Sequence, residues 1–152
     1  YAEYVTAPSR HFERKPHALS TEEAGALPLA GLTAWQVVVD TLRVQDGDDV
    51  LIHGGAGGVG HLAVQIAAAR GANVIATARR EQADFLAELG AARTLDYRDD
   101  DFDRRVSELD SVIDFTGRYG ERSLPTMRPG ASLVSVPSGV KPELVDAVSA
   151  QL

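Results

Sequence analysis

Short, mostly apolar runs alternate along the chain with longer stretches whose apolar residues recur every three or four positions. The short runs fall at 49–52, 74–77, 93–96, 111–115 and 131–136, and each predicts a strand. Val74-Ile75-Ala76-Thr77 carries no charge, as a strand covered on both faces requires. Between the strands, residues 58–70, 81–89 and 101–109 read as helices. Leu62, Ile66 and Ala69 mark the apolar spacing of the first, and Gly71 and Gly90 stand at helix ends as C-caps. A brief helix closes at 124–127, Arg128-Pro129-Gly130 reads as a turn into the fifth strand, and a final helix starts at Pro142. Ahead of the first strand, Tyr4 and Val5 suggest a short extended segment and residues 10–17 a loop. Ser20-Thr21-Glu22-Glu23 is a capping box that opens a short helix, stopped by Pro28. A second helix over 29–42 would pack Trp35 into the core, and Asp46-Gly47-Asp48 turns the chain into the first strand.

Strands that alternate so regularly with helices predict an α/β fold with a parallel sheet and right-handed crossovers. The expected architecture is a Rossmann-type doubly wound sheet in the order 3-2-1-4-5. The sixth strand of the full fold would be missing, since the chain stops in the helix that leads to it. Residues 1–45 read as a lead-in segment with its helices, and 46–152 as a dinucleotide-binding domain incomplete at its C-terminus. The chain opens on Tyr1 rather than Met, so the expectation is a piece excised from a longer protein.

The candidate chemistry lies where the first strand meets the helix after it. Gly55, Gly57 and Gly60 fit G-x-G-x-x-G, with Ala56, Gly58 and Val59 between them. The first glycine permits a tight reversal and the second lets backbone amides approach a pyrophosphate. The third lets helix pack closely on strand, and the helix N-terminus attracts the phosphates. In NAD-binding versions an acidic residue about 20 positions later takes the ribose hydroxyls. Here the second strand ends in Thr77-Ala78-Arg79-Arg80. A guanidinium there can pair with a 2′-phosphate, so Arg79 and Arg80 favour NADP(H) over NAD.

Composition narrows the field further. A net charge of −7 argues against a nucleic-acid surface, and the absence of cysteine removes disulfides, thiolate catalysis and Cys-based zinc sites. No run is long enough to cross a membrane; a cytoplasmic protein is the expectation. His53 and His61 flank the glycines without a supporting carboxylate pair and read as structural. Asp99-Asp100-Asp101 reads as a helix-start acid cluster rather than a cation site.

Four ordered blocks resemble the medium-chain dehydrogenase/reductase superfamily, and more closely its zinc-independent quinone oxidoreductases, the zeta-crystallin-like branch. They are residues 26–35 (Ala-Leu-Pro-Leu-Ala-Gly-Leu-Thr-Ala-Trp), the glycine block 53–60, Leu95-Asp96-Tyr97-Arg98, and 127–136. The resemblance implies that Ala56 to Val59 hold the pyrophosphate, Arg79 meets the 2′-phosphate, and Tyr97 lies near the adenine ribose. It places Thr116 and Gly117 beside the middle of the cofactor, Val136 to Ser138 beside the nicotinamide, and Thr33 below it as a weaker candidate. It implies hydride transfer from NADPH to a quinone or an activated alkene or carbonyl, with no catalytic acid–base residue in this segment. The small-molecule pocket would be completed by a separate domain, so the segment alone would bind cofactor without turnover; homodimer formation stays open. Arg118-Tyr119-Gly120-Glu121 departs from the glycine-rich stretch of many relatives. An enoyl-reductase module of a larger synthase remains open, as does a non-catalytic nucleotide-binding domain of the same fold. A methyltransferase also uses a glycine loop, but the arginine pair speaks against it.

Overall fold

The computed structural model describes residues 2–99 and 101–137. Its strands are β1 (Asp49–His53), β2 (Asn73–Ala78), β3 (Arg93–Asp96), β4 (Leu109–Asp114) and β5 (Met127–Ser135). They form a single parallel sheet in the order β3-β2-β1-β4-β5, the expected order. Ser138, the expected helix from Pro142 and anything leading to a sixth strand lie outside the described residues.

Side chains alternate along a strand, so β1, β2 and β4 feed a core on each face of the sheet. Val50, Ile52, Val74, Ala76 and Ile113 face α1 (Thr21–Trp35) and α2 (Gly60–Ala69). Leu51, Ile75, Leu95 and Val112 face the other way, towards Phe102 and Val106. From α2, the residues that reach the sheet are Gly60, Ala63, Val64 and Ala67. The expected stripe of Leu62, Ile66 and Ala69 is therefore displaced: Leu62 and Ile66 sit at the margin of the core and Ala69 is exposed. The helix lies close to the sheet, and only small side chains fit between them.

Several expectations about the lead-in are corrected. Tyr4 and Val5 form no strand; they are 90% and 72% exposed, with no neighbouring strand to pair with among the described residues. Pro28 does not end a helix but lies inside α1. A proline costs its own amide hydrogen bond and crowds the carbonyl four residues back, which kinks a helix without ending one held by packing further on. That packing is supplied by Ala34 and by a π-helical turn over Gln36–Thr41, in which the amides of Leu42 and Val44 reach back to the carbonyls of Val37 and Val38. The wider turn lets adjacent Val37 and Val38 both point inward, joined by Val44. Trp35, expected in the core, faces outward and is half exposed. The Ser20 cap is as expected: Glu23 N–H donates to Ser20 Oγ (3.1 Å), and Ser20 N–H donates to the Glu23 carboxylate (2.8 Å).

Two further boundaries moved. After α3 (Ala83–Glu88) and β3, the helix expected over 101–109 shrinks to α4 (Phe102–Arg105). Phe102, Val106 and Leu109 have helical spacing, and all three do enter one cluster. Leu109, however, already pairs with Met127 in the sheet, so an extended link with Glu108 at φ 57° delivers it. Following α5 (Gly120–Ser123), β5 begins at Met127, and the expected turn Arg128-Pro129-Gly130 lies within it. The register shifts there, between Leu109 and Ser111 on β4. Pro129 has no amide to pair, and such an irregularity is where a sheet tolerates it.

Candidate functional site

The C-terminal ends of β1, β2 and β4 meet at the glycine turn, and close contacts dictate its residues. Gly54 has φ 77°, and a Cβ there would come within 3.0 Å of the Thr116 methyl. A Cβ on Gly55 would lie 2.7 Å from that of Ala76, so this glycine sits directly on β2. A Cβ on Gly60 would collide with the Gly54 carbonyl, 2.9 Å from its carbon. Gly58 meets nothing within 4 Å and is not sterically required. The turn closes through Gly57 N–H to Gly54 O (2.9 Å) and Gly55 N–H to Thr77 O (3.0 Å). The N-cap of α2 is Val59, which has no side-chain acceptor to satisfy the first amides of the helix. Backbone carbonyls take the next amides instead, His61 N–H donating to Gly57 O (3.1 Å) and Leu62 N–H to Val59 O (3.1 Å), which leaves the Gly60 amide as the helix-start donor suited to an anionic group.

Above the turn lies a cleft of about 610 Å³, lined by Gly54, Ala56 and Gly57 from the turn, by Thr77, Ala78, Arg79 and Gln82 after β2, by Tyr97 after β3, and by Thr116, Arg118 and Tyr119 after β4. A second recess of about 510 Å³, bordered by Arg79, Glu81, Gln82, Tyr97 and Arg98, adjoins it and shares Arg79, Gln82 and Tyr97. At this end the two sequence-adjacent arginines part company. Arg79 donates through Nε to the Tyr97 hydroxyl (3.0 Å), and among the described residues its two terminal nitrogens have no partner. Arg80 turns instead to Asp96 (3.9 Å) and Asp99 (3.7 Å). Asp96, at the end of β3, is claimed by Arg98 (2.7 Å), which also pairs with Glu81 (3.2 Å). The Arg98 hydrogen bonds hold the Asp96 carboxyl well below the usual carboxylate range. The carboxylates beside Arg79 are thus already matched by other arginines.

Of the candidates named from sequence, Ala56, Gly57, Thr77, Arg79, Tyr97 and Thr116 line the cleft. Gly55 and Gly60 shape the turn beneath it, while Gly58, Val59 and Gly117 are near in sequence but not in the lining. Thr33 lies in α1, where its hydroxyl donates to Leu29 O (2.8 Å), apart from the lining. Val136 is exposed and continues the sheet by donating its amide to Asp114 O (3.0 Å).

Gly54, Ala78, Gln82, Arg118 and Tyr119 of this lining were not named as site residues from sequence, nor was Asp114. The fully buried Asp114 carboxylate accepts from the amides of Thr116 (2.8 Å), Gly117 (3.0 Å), Tyr119 (2.8 Å) and Gly120 (2.9 Å), and from the Thr116 hydroxyl (2.7 Å). It shapes the whole 116–120 wall of the cleft. Burial works to raise its pKa, but the bonds from Thr116 and Tyr119 override this and leave it below the ordinary value. The available signal was a lone acid ending an apolar strand, followed by Thr and Gly. Tyr119 both lines the cleft and stacks on His53, with ring centroids 4.9 Å apart.

His53 is fully buried, and its pKa is lowered from 6.5 to about 4, chiefly by desolvation; the nearby Asp114 charge opposes this and Arg122 adds to it. An unfolded imidazole takes a proton near pH 6.5, whereas the folded one resists until about pH 4. Stability is therefore complete above 6.5 and declines as pH falls towards 4, by about 3 kcal/mol. Urea titrations at pH 7 and 4.5 check this: His53→Gln should flatten the decline relative to the parent chain.

Among the described residues, no group of three or more His, Asp or Glu side chains is placed to hold a metal ion, and no helix is long and apolar enough to cross a membrane.

Comparison with known proteins adds three likenesses and one family match. The family model described as zinc-binding dehydrogenase matches residues 58–149. The chain is 34% identical over 143 residues to the 2-methylene-furan-3-one reductase of Solanum lycopersicum, covering 93% of this chain and 36% of that protein. It superposes on a quinone oxidoreductase from Coxiella burnetii with a TM-score of 0.82 at 40% identity, over 91% of this chain and 44% of the other. It superposes on an NAD-dependent alcohol dehydrogenase with a TM-score of 0.87 at 39% identity, over 99% and 47%. The chain thus spans less than half the length of each.

Proposed function

Since the chain belongs to the zinc-binding dehydrogenase family, within the medium-chain dehydrogenase/reductase superfamily, we propose that it is the NADP(H)-binding part of an oxidoreductase. Its substrate class would be a quinone or an activated alkene or carbonyl, as the names of the tomato and Coxiella relatives suggest. Residues 1–45 serve as the lead-in and 46–152 as the nucleotide domain. The chain alone binds cofactor, and turnover needs the length that the relatives carry in addition. The sequence has no cysteine, so no thiolate of its own can ligate zinc, and the reading is of a zinc-independent reductase.

One observation carries the choice of cofactor: Arg79, oriented by Tyr97, presents guanidinium nitrogens that are uncommitted among the described residues at one end of the cleft. No acid ends β2, and the nearest ones are held by Arg98 and Arg80. A 2′-phosphate would gain Arg79 there without meeting an unpaired carboxylate. The turn fits a pyrophosphate on its own terms: three glycines leave no room for a Cβ, and the N-cap Val59 brings no side-chain acceptor to compete for the Gly60 amide. When bound, the nicotinamide supplies the hydride. The chain's part is to hold the phosphates at the turn, read the 2′-phosphate with Arg79, and form one wall with Thr116 and Tyr119.

Likeness to an NAD-dependent enzyme makes cofactor preference the point to test. In isothermal titration the chain is expected to bind NADPH at least about tenfold more tightly than NADH. Arg79→Ala should weaken NADPH by about 10- to 100-fold, the loss of charge-assisted bonds, and leave NADH within about twofold. Equal affinities in the unaltered chain would sink the assignment.

A further inference from the structure

The conformation of the cleft depends on a buried hydrogen-bond relay whose polarity can be worked out atom by atom. Thr77, His53 and Asp114 are in register on adjacent strands β2, β1 and β4, on the face opposite α1 and α2. The Ser123 hydroxyl lies 2.8 Å from Tyr119 O, a carbonyl that can only accept, so its one proton is committed there. The 2.9 Å contact between His53 Nε2 and Ser123 Oγ therefore needs the proton on Nε2. A neutral ring protonated at Nε2 has a lone pair on Nδ1, which accepts from the Thr77 hydroxyl at 3.3 Å. Thr77 Oγ1 in turn accepts from the Gly54 amide at 3.2 Å. Every proton has one direction: Gly54 N–H to Thr77, Thr77 O–H to His53, His53 N–H to Ser123, and Ser123 O–H to Tyr119.

The two ends of this relay belong to two segments that line the cleft: Gly54 opens the glycine turn, and Tyr119 belongs to the wall held by Asp114. Tyr119 also stacks on the imidazole, and Phe102 meets the ring edge-on at 4.7 Å. An apolar residue at 53 would fill the space but break the relay in the middle. We propose that His53 is a positioning residue that locks the glycine turn and the 116–120 wall into one register, so that a ligand touching both walls meets them already aligned. The ligand half of this rests on the nucleotide reading above; the mechanical half does not.

The test compares His53→Leu, His53→Gln and Ser123→Ala in the 152-residue chain. A glutamine amide carries an acceptor and a donor, and can stand in for both ring nitrogens. Without ligand, His53→Leu and Ser123→Ala should each raise amide hydrogen exchange at Gly54 and at residues 116–120 together, and His53→Gln should recover most of the protection. Exchange rising at one wall only, or evenly across the sheet, would overturn the coupling, and Ser123→Ala carries the test if His53→Leu does not fold. With ligand, NADPH affinity should fall about three- to tenfold in His53→Leu and Ser123→Ala, the scale of one hydrogen bond. Binding of 2′-AMP, which would need only the Arg79–Tyr97 end, should hold steady in both. Equal losses for the two ligands, or none for NADPH, would overturn the alignment role. If the unaltered chain binds neither ligand, the nucleotide reading fails while the exchange result still decides the coupling.

Discussion

Gly60→Ala is expected to lower the thermal midpoint by about 6–12 °C and to cost the cleft most of its affinity for NADPH. The new methyl would point into the Gly54 carbonyl group, a backbone atom that no rotamer change can move, and would sit 3.0 Å from the carbonyl carbon of Gly55. Relief requires α2 to shift away from β1, opening the contact through which Gly60, Ala63, Val64 and Ala67 reach the sheet. Overpacking of this kind costs about 3 kcal/mol, and a domain of this size loses about 2–4 °C per kcal/mol. The same shift moves the helix start relative to the turn. Gly58→Ala is the control for stability: its Cβ would meet nothing within 4 Å, and its thermal midpoint should stay level or rise slightly. If the two variants melt alike, close helix–strand approach is not what that glycine secures.

The second large effect is expected at Asp114. Replacing it with alanine leaves four backbone amides and the Thr116 hydroxyl without their acceptor. Gly120 N–H and the site of the carboxylate are buried, so water replaces these bonds poorly. A loss of about 3–4 kcal/mol in urea unfolding is expected. Asp114→Asn keeps the shape and one oxygen, enough for either the Thr116–Gly117 donors or the Tyr119–Gly120 pair. Its amide would face the other set donor to donor, and a loss of about 2 kcal/mol should result. Both variants should also weaken NADPH, because the 116–120 wall of the cleft hangs on this carboxylate. An Asn variant as stable as the parent would mean that the loop is held by its own turns.

Much of this was legible along the chain because its causes are local. Glycines between an apolar run and an alanine-rich run mark a strand–turn–helix wherever they occur, and Ser20 to Glu23 cap a helix through neighbours three residues apart. The mistakes came where a local pattern met a distant partner. Phe102, Val106 and Leu109 have helical spacing, yet Leu109 was claimed by Met127. Pro28 looked like a stop, but packing of Ala34, Val37 and Val38 beyond it carried the helix on. Trp35 looked like core by size, and the π-helical turn gave its place to the two valines. Thr33 and Val136 are a separate case: they were named by resemblance to a family rather than by a local pattern, and they lie outside the cleft lining.

By itself, then, the sequence determined the βα alternation, the parallel sheet with its order, and the position of the glycine turn. Those follow from side-chain period, backbone freedom at glycine and the handedness of crossovers, which act over a few residues or constrain any chain of that pattern. Only the tertiary structure decided which arginine is available. Arg79 and Arg80 are adjacent in sequence, and it is the acids at the end of β3 that take one and leave the other to Tyr97. It alone also decided that His53, Thr77 and Asp114 form one buried polar row, because strand register brings together residues more than 20 positions apart. No spacing rule along the chain encodes that register; it is set when the helices pack.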